Sequence, residues 1–113
     1  MSTVGISPSE AFVLHDLVTP SPQAITSRIL AKNNGGSITL FAFDEQQGLS
    51  EHTAPFDALV MVLDGRLRLT IGGTEVMAAA GTIVRMPAHV PHAVDAIEPS
   101  RMLLTMLRDP KAS

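Results

Sequence analysis

Cysteine is absent from the 113-residue chain, which excludes disulfides, thiolate metal ligands and thiol catalysis. Tryptophan and tyrosine are also absent, so stacking on bases or sugars would depend on four phenylalanines. The net charge is −3, and no run of Lys or Arg appears. Since proteins that hold nucleic acid need a basic surface, we expect no nucleic-acid partner.

Long apolar runs are also missing. The segment "ALVMVL" (Ala58 to Leu63) is typical of the apolar runs in the chain, whereas a bilayer crossing needs roughly 20 apolar residues. The first residues, "MSTVGISPSEAF", do not pair a basic segment with an apolar one, so no signal peptide is apparent. We therefore expect a soluble, cytoplasmic protein with no membrane partner.

The composition is that of a globular protein with many turns. Hydrophobic residues make up 45% of the chain and charged residues 17%, which argues against disorder. A chain of 113 residues is the usual size of one domain, so we expect a single domain over residues 1–113. Eight glycines and eight prolines indicate short strands separated by turns.

Strand-like segments run along most of the chain. "RLRLTI" alternates cleanly, with Leu67, Leu69 and Ile71 on one face and polar residues on the other. Six further segments read as strands with their adjoining turns: "AITSRILAKN", "SITLFAFDE", "DALVMVLDG", "TEVMA", "GTIVRMP" and "RMLLTML". This pattern predicts an all-β antiparallel sandwich or barrel. One helical turn is suggested near Ser7, where proline follows a capping residue.

Three of these strands are apolar on both faces: "SITLFAF", "ALVMVL" and "MLLTML". An antiparallel sheet normally leaves one face in water, so a second layer must cover these strands. Because the chain has no helix to spare, another copy of the chain is the expected cover. The sequence therefore predicts a homodimer.

Two longer stretches, which include several of these strands, resemble the conserved motifs of the cupin family. "GLSEHTAPFDALVMVLDGRLRLTIGG" resembles the first motif, and "GTIVRMPAHVPHAV" resembles the second, G-x5-P-x-G-x2-H. The match spans about Gly48 to Ala96 (the core motifs, 48–96), with flanking strands at both ends. The resemblance implies a cupin-type antiparallel β-barrel, or double-stranded jelly roll, of six to eight strands. It also implies a small-molecule pocket inside the barrel, and dimers are common in the family.

The resemblance further implies which residues would hold a metal. The family's first motif supplies H-x-H-x3/4-E and the second supplies another histidine. Here His52 and His92 occupy motif positions, whereas Ala54 stands where the second histidine is expected. The glutamate position falls on Ala58 or Leu59, one or two residues after Asp57. The implied cofactor is one divalent transition metal (Zn, Ni, Fe, Mn or Cu) on His52 and His92.

A third ligand would come from His89 or Asp57. His89 stands where the second motif has glycine, in a turn that favours positive φ. Its ring either faces solvent or turns inward and replaces the missing histidine. Asp57 is one residue short of the glutamate position, and a one-residue slip in a strand turns a side chain to the opposite face.

Three functions are consistent with these residues. One is a metal-dependent enzyme in which the ion activates a substrate oxygen, O2 or water. A second is a metal-free binding protein in which His52 and His92 anchor a small organic ligand. A third is a scaffold without catalysis. The fold does not choose among them, because cupins support many chemistries.

Overall fold

The structure, a computed structural model, describes residues 5–108 and confirms the all-β prediction. Within that range a short 3-10 helix, Leu14–Leu17, precedes nine strands. The strands are β1 (Ile25–Asn33), β2 (Gly36–Phe43), β3 (Gly48–His52), β4 (Asp57–Asp64), β5 (Arg66–Ile71), β6 (Thr74–Ala79), β7 (Ile83–Met86), β8 (His92–Ala96) and β9 (Ser100–Leu107). The helix begins seven residues after Ser7, so the helical turn expected there is displaced.

The strands form two antiparallel sheets that pack face to face. One sheet has the order β1-β2-β9-β4-β7 and the other has the order β3-β8-β5-β6. Neighbours that are distant in sequence, such as β2 and β9, make this a jelly roll rather than a series of hairpins. Strands β3 and β8, which carry His52 and His92, were not among the segments that alternation predicted.

The core lies between the two sheets and follows from period-2 alternation. On β4, Ala58, Val60 and Val62 face inward and are buried. On β5, Leu67 and Leu69 do the same, as the sequence predicted. The interior is thus made of aliphatic side chains from both sheets.

The outer face of the five-stranded sheet is covered in part by the chain's own N-terminal segment. Leu40 and Ala42 of β2 are fully buried there, in a cluster that includes Val18. Arg101 holds the segment in place, because its Nε donates to the Val18 carbonyl at 3.1 Å and its Nη1 bonds Asp64 at 2.9 Å. The chain itself therefore covers part of this face, and the homodimer stays a prediction.

The rest of that outer face stays open. Met61 on β4 is 40% exposed and lies directly opposite Ile83 on β7, which is 58% exposed. Leu107 at the end of β9 is 53% exposed. Among residues 5–108, no helix is long and apolar enough to cross a membrane.

Candidate functional site

Two neighbouring strands of the four-stranded sheet bring His52 and His92 together. His52 ends β3 and His92 begins β8, and the two residues are directly paired across the strands. Their ring centroids are 4.3 Å apart, and the ring planes are inclined at 72°. His92 is 5% exposed, whereas His52 is exposed at the rim. The pair therefore has one buried ring and one ring open to solvent.

A β-bulge turns His52 inward. Leu49 pairs with Val94 and His52 pairs with His92, so three steps along β3 match two steps along β8. In a regular strand, residues three apart point to opposite faces. The extra residue in β3 restores His52 to the face of Leu49, and both side chains line the same interior space. Without this bulge, the ring of His52 would point away from His92.

Backbone carbonyls fix the orientation of both rings. The Nδ1 atom of His52 donates to the Ser50 carbonyl at 2.8 Å, and Nδ1 of His92 donates to the Val90 carbonyl at 3.2 Å. Each carbonyl belongs to the residue two positions earlier in the chain. The Nε2 atoms then point at each other, 3.1 Å apart.

The two contacts with carbonyls and the contact between the Nε2 atoms would each need one N–H hydrogen. Two neutral imidazole rings have only two such hydrogens between them. Carbonyl oxygens only accept, so each Nδ1 must keep its hydrogen. A neutral imidazole has one N–H, which leaves both Nε2 atoms as lone pairs facing one another. The pair therefore accepts one further positive or hydrogen-donating group, such as a proton, a hydroxyl or a metal ion.

Burial keeps His92 neutral. Loss of hydration lowers the pKa of His92 below its usual 6.5, and the neighbouring His52 lowers it further, although the Val90 carbonyl opposes both effects. At pH 7 the ring is thus uncharged, and its Nε2 is an acceptor.

The pair stands at one end of a cavity between the sheets. The cavity has a volume of about 200 Å³, and its wall is mainly apolar. It is lined by Leu49, His52, Ala54, Phe56, Ala58, Met86, His92, Val94, Met102, Leu104 and Met106. The guanidinium of Arg108 lies 5.3 Å from the ring centroid of Phe56, one of these lining residues.

Asp57 lies on the other face of its strand. Its neighbour Ala58 faces the interior, so Asp57 faces outward. One carboxylate oxygen accepts from Nε of Arg85 at 2.8 Å, and the other accepts from the backbone amide of Ala88 at 2.8 Å. These two hydrogen bonds, that of Ala88 first, lower the pKa of Asp57 below its usual 3.8. Asp57 therefore holds the loop between β7 and β8, residues 87–91, through the Ala88 amide.

His89 occupies the same loop with φ of 66°, the left-handed backbone that the glycine position predicts. Its side chain is exposed and does not line the cavity. Its backbone amide donates to the Ala54 carbonyl at 2.8 Å. In the described part of the chain, no three His, Cys, Asp or Glu side chains come together as a metal site would need. Ligation by His89 or Asp57 stays a prediction.

Comparison with known families identifies the fold. The family profile described as "Cupin domain" matches residues 39–107, which include both histidines of the pair. The chain is a cupin. The resemblance of the two motifs to this family is thereby confirmed, as is the cupin-type barrel.

Solved structures agree with this assignment. A conserved protein of unknown function from Streptococcus pyogenes is 32% identical over 96% of each chain, with a TM-score of 0.89. A cupin 2 conserved barrel domain protein from Leptotrichia buccalis is 33% identical with a TM-score of 0.83, covering 86% of this cupin and 47% of that chain. A cupin superfamily protein from Desulfitobacterium hafniense is 24% identical, with a TM-score of 0.86, and the match covers 93% of this cupin and 96% of that chain. No curated protein matches this cupin.

Sequence reasoning located the histidine pair through the motifs but missed what orients it. The bulge in β3, the two carbonyl acceptors and the outward bonding of Asp57 were not predicted. One signal was present: Leu49 and His52 are three residues apart, so two inward side chains there demand an irregular strand.

Proposed function

We propose that this cupin binds a small, mostly apolar molecule in its barrel and that His52 and His92 anchor it directly. The observation that carries the proposal is the pair of Nε2 atoms, 3.1 Å apart, at the end of an apolar cavity. Ligand sites are typically apolar spaces with a few convergent polar groups, and this cavity has that character.

The chemistry of the pair defines the head group of the ligand. Two facing lone pairs repel each other, so a hydroxyl or N–H that donates between them relieves the repulsion. The volume limits the body of the ligand, because an apolar cavity of roughly 150 Å³ accommodates benzene. A cavity of about 200 Å³ therefore suits one ring with a small substituent. A phenol combines both features.

A tight divalent metal site fits the donor set less well. Zinc sites use at least three protein ligands as a rule, and the pair supplies two neutral nitrogens. Asp57 is already bonded to Arg85 and to the loop, on the outer face of the sheet. Direct hydrogen bonding to the ligand needs no third residue, which favours it over the metal-dependent alternative.

Calorimetric titration with phenol and with toluene tests the proposal. The two probes have similar size and differ in the hydroxyl. We expect phenol to bind more tightly, by about 1 kcal/mol or roughly fivefold, the net value of a typical hydrogen bond. His92→Gln should remove this preference, whereas His15→Gln, whose ring bonds Asp64 on the outer side of the sheet, should leave it unchanged.

Two results would contradict the proposal. If neither phenol nor toluene binds, the cavity is not a ligand site. If phenol binds only after a divalent metal is added, the metal-dependent alternative is correct. The metal content of the untagged protein should be measured on the same preparation. This measurement shows whether metal was already bound before the titrations.

We also propose that the open part of the outer face is the contact surface of a homodimer. Met61 and Ile83 face each other on adjacent strands and expose apolar surface beside an edge of the sheet. Sedimentation should give about twice the monomer mass of 12.0 kDa. Ile83→Glu should give the monomer, whereas Val13→Glu, at a 66% exposed position on the N-terminal segment, should not. A wild-type monomer at high concentration would contradict the dimer.

A further inference from the structure

We propose that the same cavity is a site for a soft monovalent metal ion, Cu(I) or its analogue Ag(I), bound by His52, His92 and the thioethers of Met86 and Met106. This inference rests on the proposed function in one respect: both place a ligand in the same cavity. The proposed site shares His52 and His92 with the divalent site that the motifs imply, and differs from it in the thioether ligands and in the charge of the ion.

The side-chain donors that line the cavity are unusually uniform. Of the eleven lining residues, two carry imidazole nitrogens and three carry thioether sulfurs, and none carries a side-chain oxygen. Carboxylate and carbonyl oxygens suit Mg, Ca and Mn, whereas thioether sulfur selects Cu(I). The donor set is therefore soft.

The two imidazoles are arranged as metal ligands usually are. A ligating histidine commonly donates its other ring N–H to a backbone carbonyl, which fixes the tautomer. Both rings do this, through Ser50 and Val90. The separation of 3.1 Å between the Nε2 atoms allows both to contact one ion at the distance of about 2.0–2.1 Å known for zinc and imidazole.

The absence of a negative ligand decides the charge of the ion. Asp57 is held outside by Arg85, and none of the side-chain donors lining the cavity is a carboxylate or a thiolate. The cost of burying an ion in an apolar medium rises with the square of its charge, so a monovalent ion loses roughly a quarter of what a divalent ion loses. Imidazole and thioether donors carry no negative charge, so they do not offset the larger cost of burying a divalent ion.

Sheet register indicates which methionines take part. Ala58 pairs with Met86 on β7 and with Met106 on β9, so two thioether side chains flank one small residue. The loop after Met86 leads directly to His92, which places this row at the histidine end of the barrel. Met102 lies four residues before Met106 on β9, roughly 13 Å deeper at about 3.3 Å per residue.

Side-chain flexibility makes the contact feasible. Methionine is unbranched, with three rotatable bonds, and adapts to irregular space. Ala58 leaves room between the two flanking chains, within a cavity of about 200 Å³. Met102 also lines the cavity, but at its deeper end, and therefore serves as a matched control.

The test uses Cu(I) and Ag(I) on the full chain under anaerobic, reducing conditions. Competition with a chromophoric Cu(I) chelator gives the affinity, and the 13C-labelled methyl groups of methionine report contact with Ag(I) by NMR. We expect one ion per chain, methyl shifts at Met86 and Met106, and no comparable uptake of Zn(II). Met86→Leu and Met106→Leu should each weaken binding at least tenfold, because loss of even a residue that only hydrogen-bonds a metal ligand costs roughly 10- to 100-fold in affinity.

Met102→Leu should bind Cu(I) as the wild type does. Methionine and leucine have similar volumes, so all three variants should remain folded, and thermal unfolding checks this. The inference is overturned if Cu(I) and Ag(I) do not bind, if Zn(II) binds more tightly, or if Met102→Leu weakens binding as much as Met86→Leu. Phenol binding in metal-free protein tells the two proposals apart: if it persists while Cu(I) fails, the proposed function stands alone.

Discussion

Replacing Ala58 by leucine tests whether the cavity is real space. Ala58 lies on the inward face of β4 and lines the cavity between Met86 and Met106. Leucine adds three carbon atoms, each worth about 0.8 kcal/mol when buried, so the upper limit of the gain is about 2.4 kcal/mol. Some of this is lost as the flanking methionines adjust. We expect the free energy of unfolding to rise by about 1–2 kcal/mol.

A second alanine gives the matched control. Ala42 is also fully buried on a strand, but it packs under the N-terminal segment and does not line the cavity. Forcing extra carbons into a filled core costs about 1–3 kcal/mol, so Ala42→Leu should destabilise the protein. The two substitutions are chemically identical and should have opposite signs.

Urea unfolding and thermal melting measure the difference. One kcal/mol corresponds to roughly 4 °C in Tm for a domain of this size, so Ala58→Leu should melt about 4–8 °C higher than wild type. It should also no longer bind phenol, because the added side chain occupies the site. If Ala58→Leu instead lowers Tm as Ala42→Leu does, no space exists beside Ala58 and the cavity is absent in solution.

Three more predictions concern the rings and the loop. The pKa of His92 is lowered, so the unfolded chain binds its proton more readily; the stability it contributes is complete above about pH 6.5 and is lost as pH falls through the lowered value. Urea unfolding at pH 7.5 and 5.5 should show this loss, and His92→Gln should reduce it. Asp57→Asn should speed hydrogen exchange at the Ala88 amide and change the rates in β5 little. An Ala88 exchange rate equal to that of the wild type would contradict the loop contact. Deleting Ser50 should remove the bulge but leave His52 two residues after Leu49, on the same inward face of a regular strand, so the preference for phenol over toluene should persist; loss of the preference would contradict this register.

Alternation of apolar and polar residues predicted most of the strands. The alternation in "RLRLTI" predicted β5 with its bounds, because a period of two is a property of neighbouring residues. The apolar faces of "SITLFAF" correctly indicated a second covering layer. They did not reveal that part of the cover is the N-terminal segment, since a contact between Val18 and a distant sheet leaves no periodic trace. The dimer stays a prediction.

The candidate site was less accessible to sequence reasoning. Motif spacing placed His52 and His92 together because both positions belong to the family pattern. The orientation of their rings depends on a bulge and on two carbonyls, and these are set by the backbone path rather than by residue type. Asp57 was a candidate ligand by spacing, but its strand face and Arg85 direct it outward. Strand register thus decides which side chains share a site.

The tautomer of the two rings is the property on which both proposed ligand sites depend most directly. Long-range 1H–15N correlation spectra of metal-free protein at pH 7.5 report which ring nitrogens of His52 and His92 carry hydrogen. We expect a hydrogen on Nδ1 of both rings and bare lone pairs on both Nε2 atoms, with Nε2 resonances that shift when phenol is added. A hydrogen on either Nε2, with Nδ1 bare, would contradict the convergent acceptor pair on which both proposals depend.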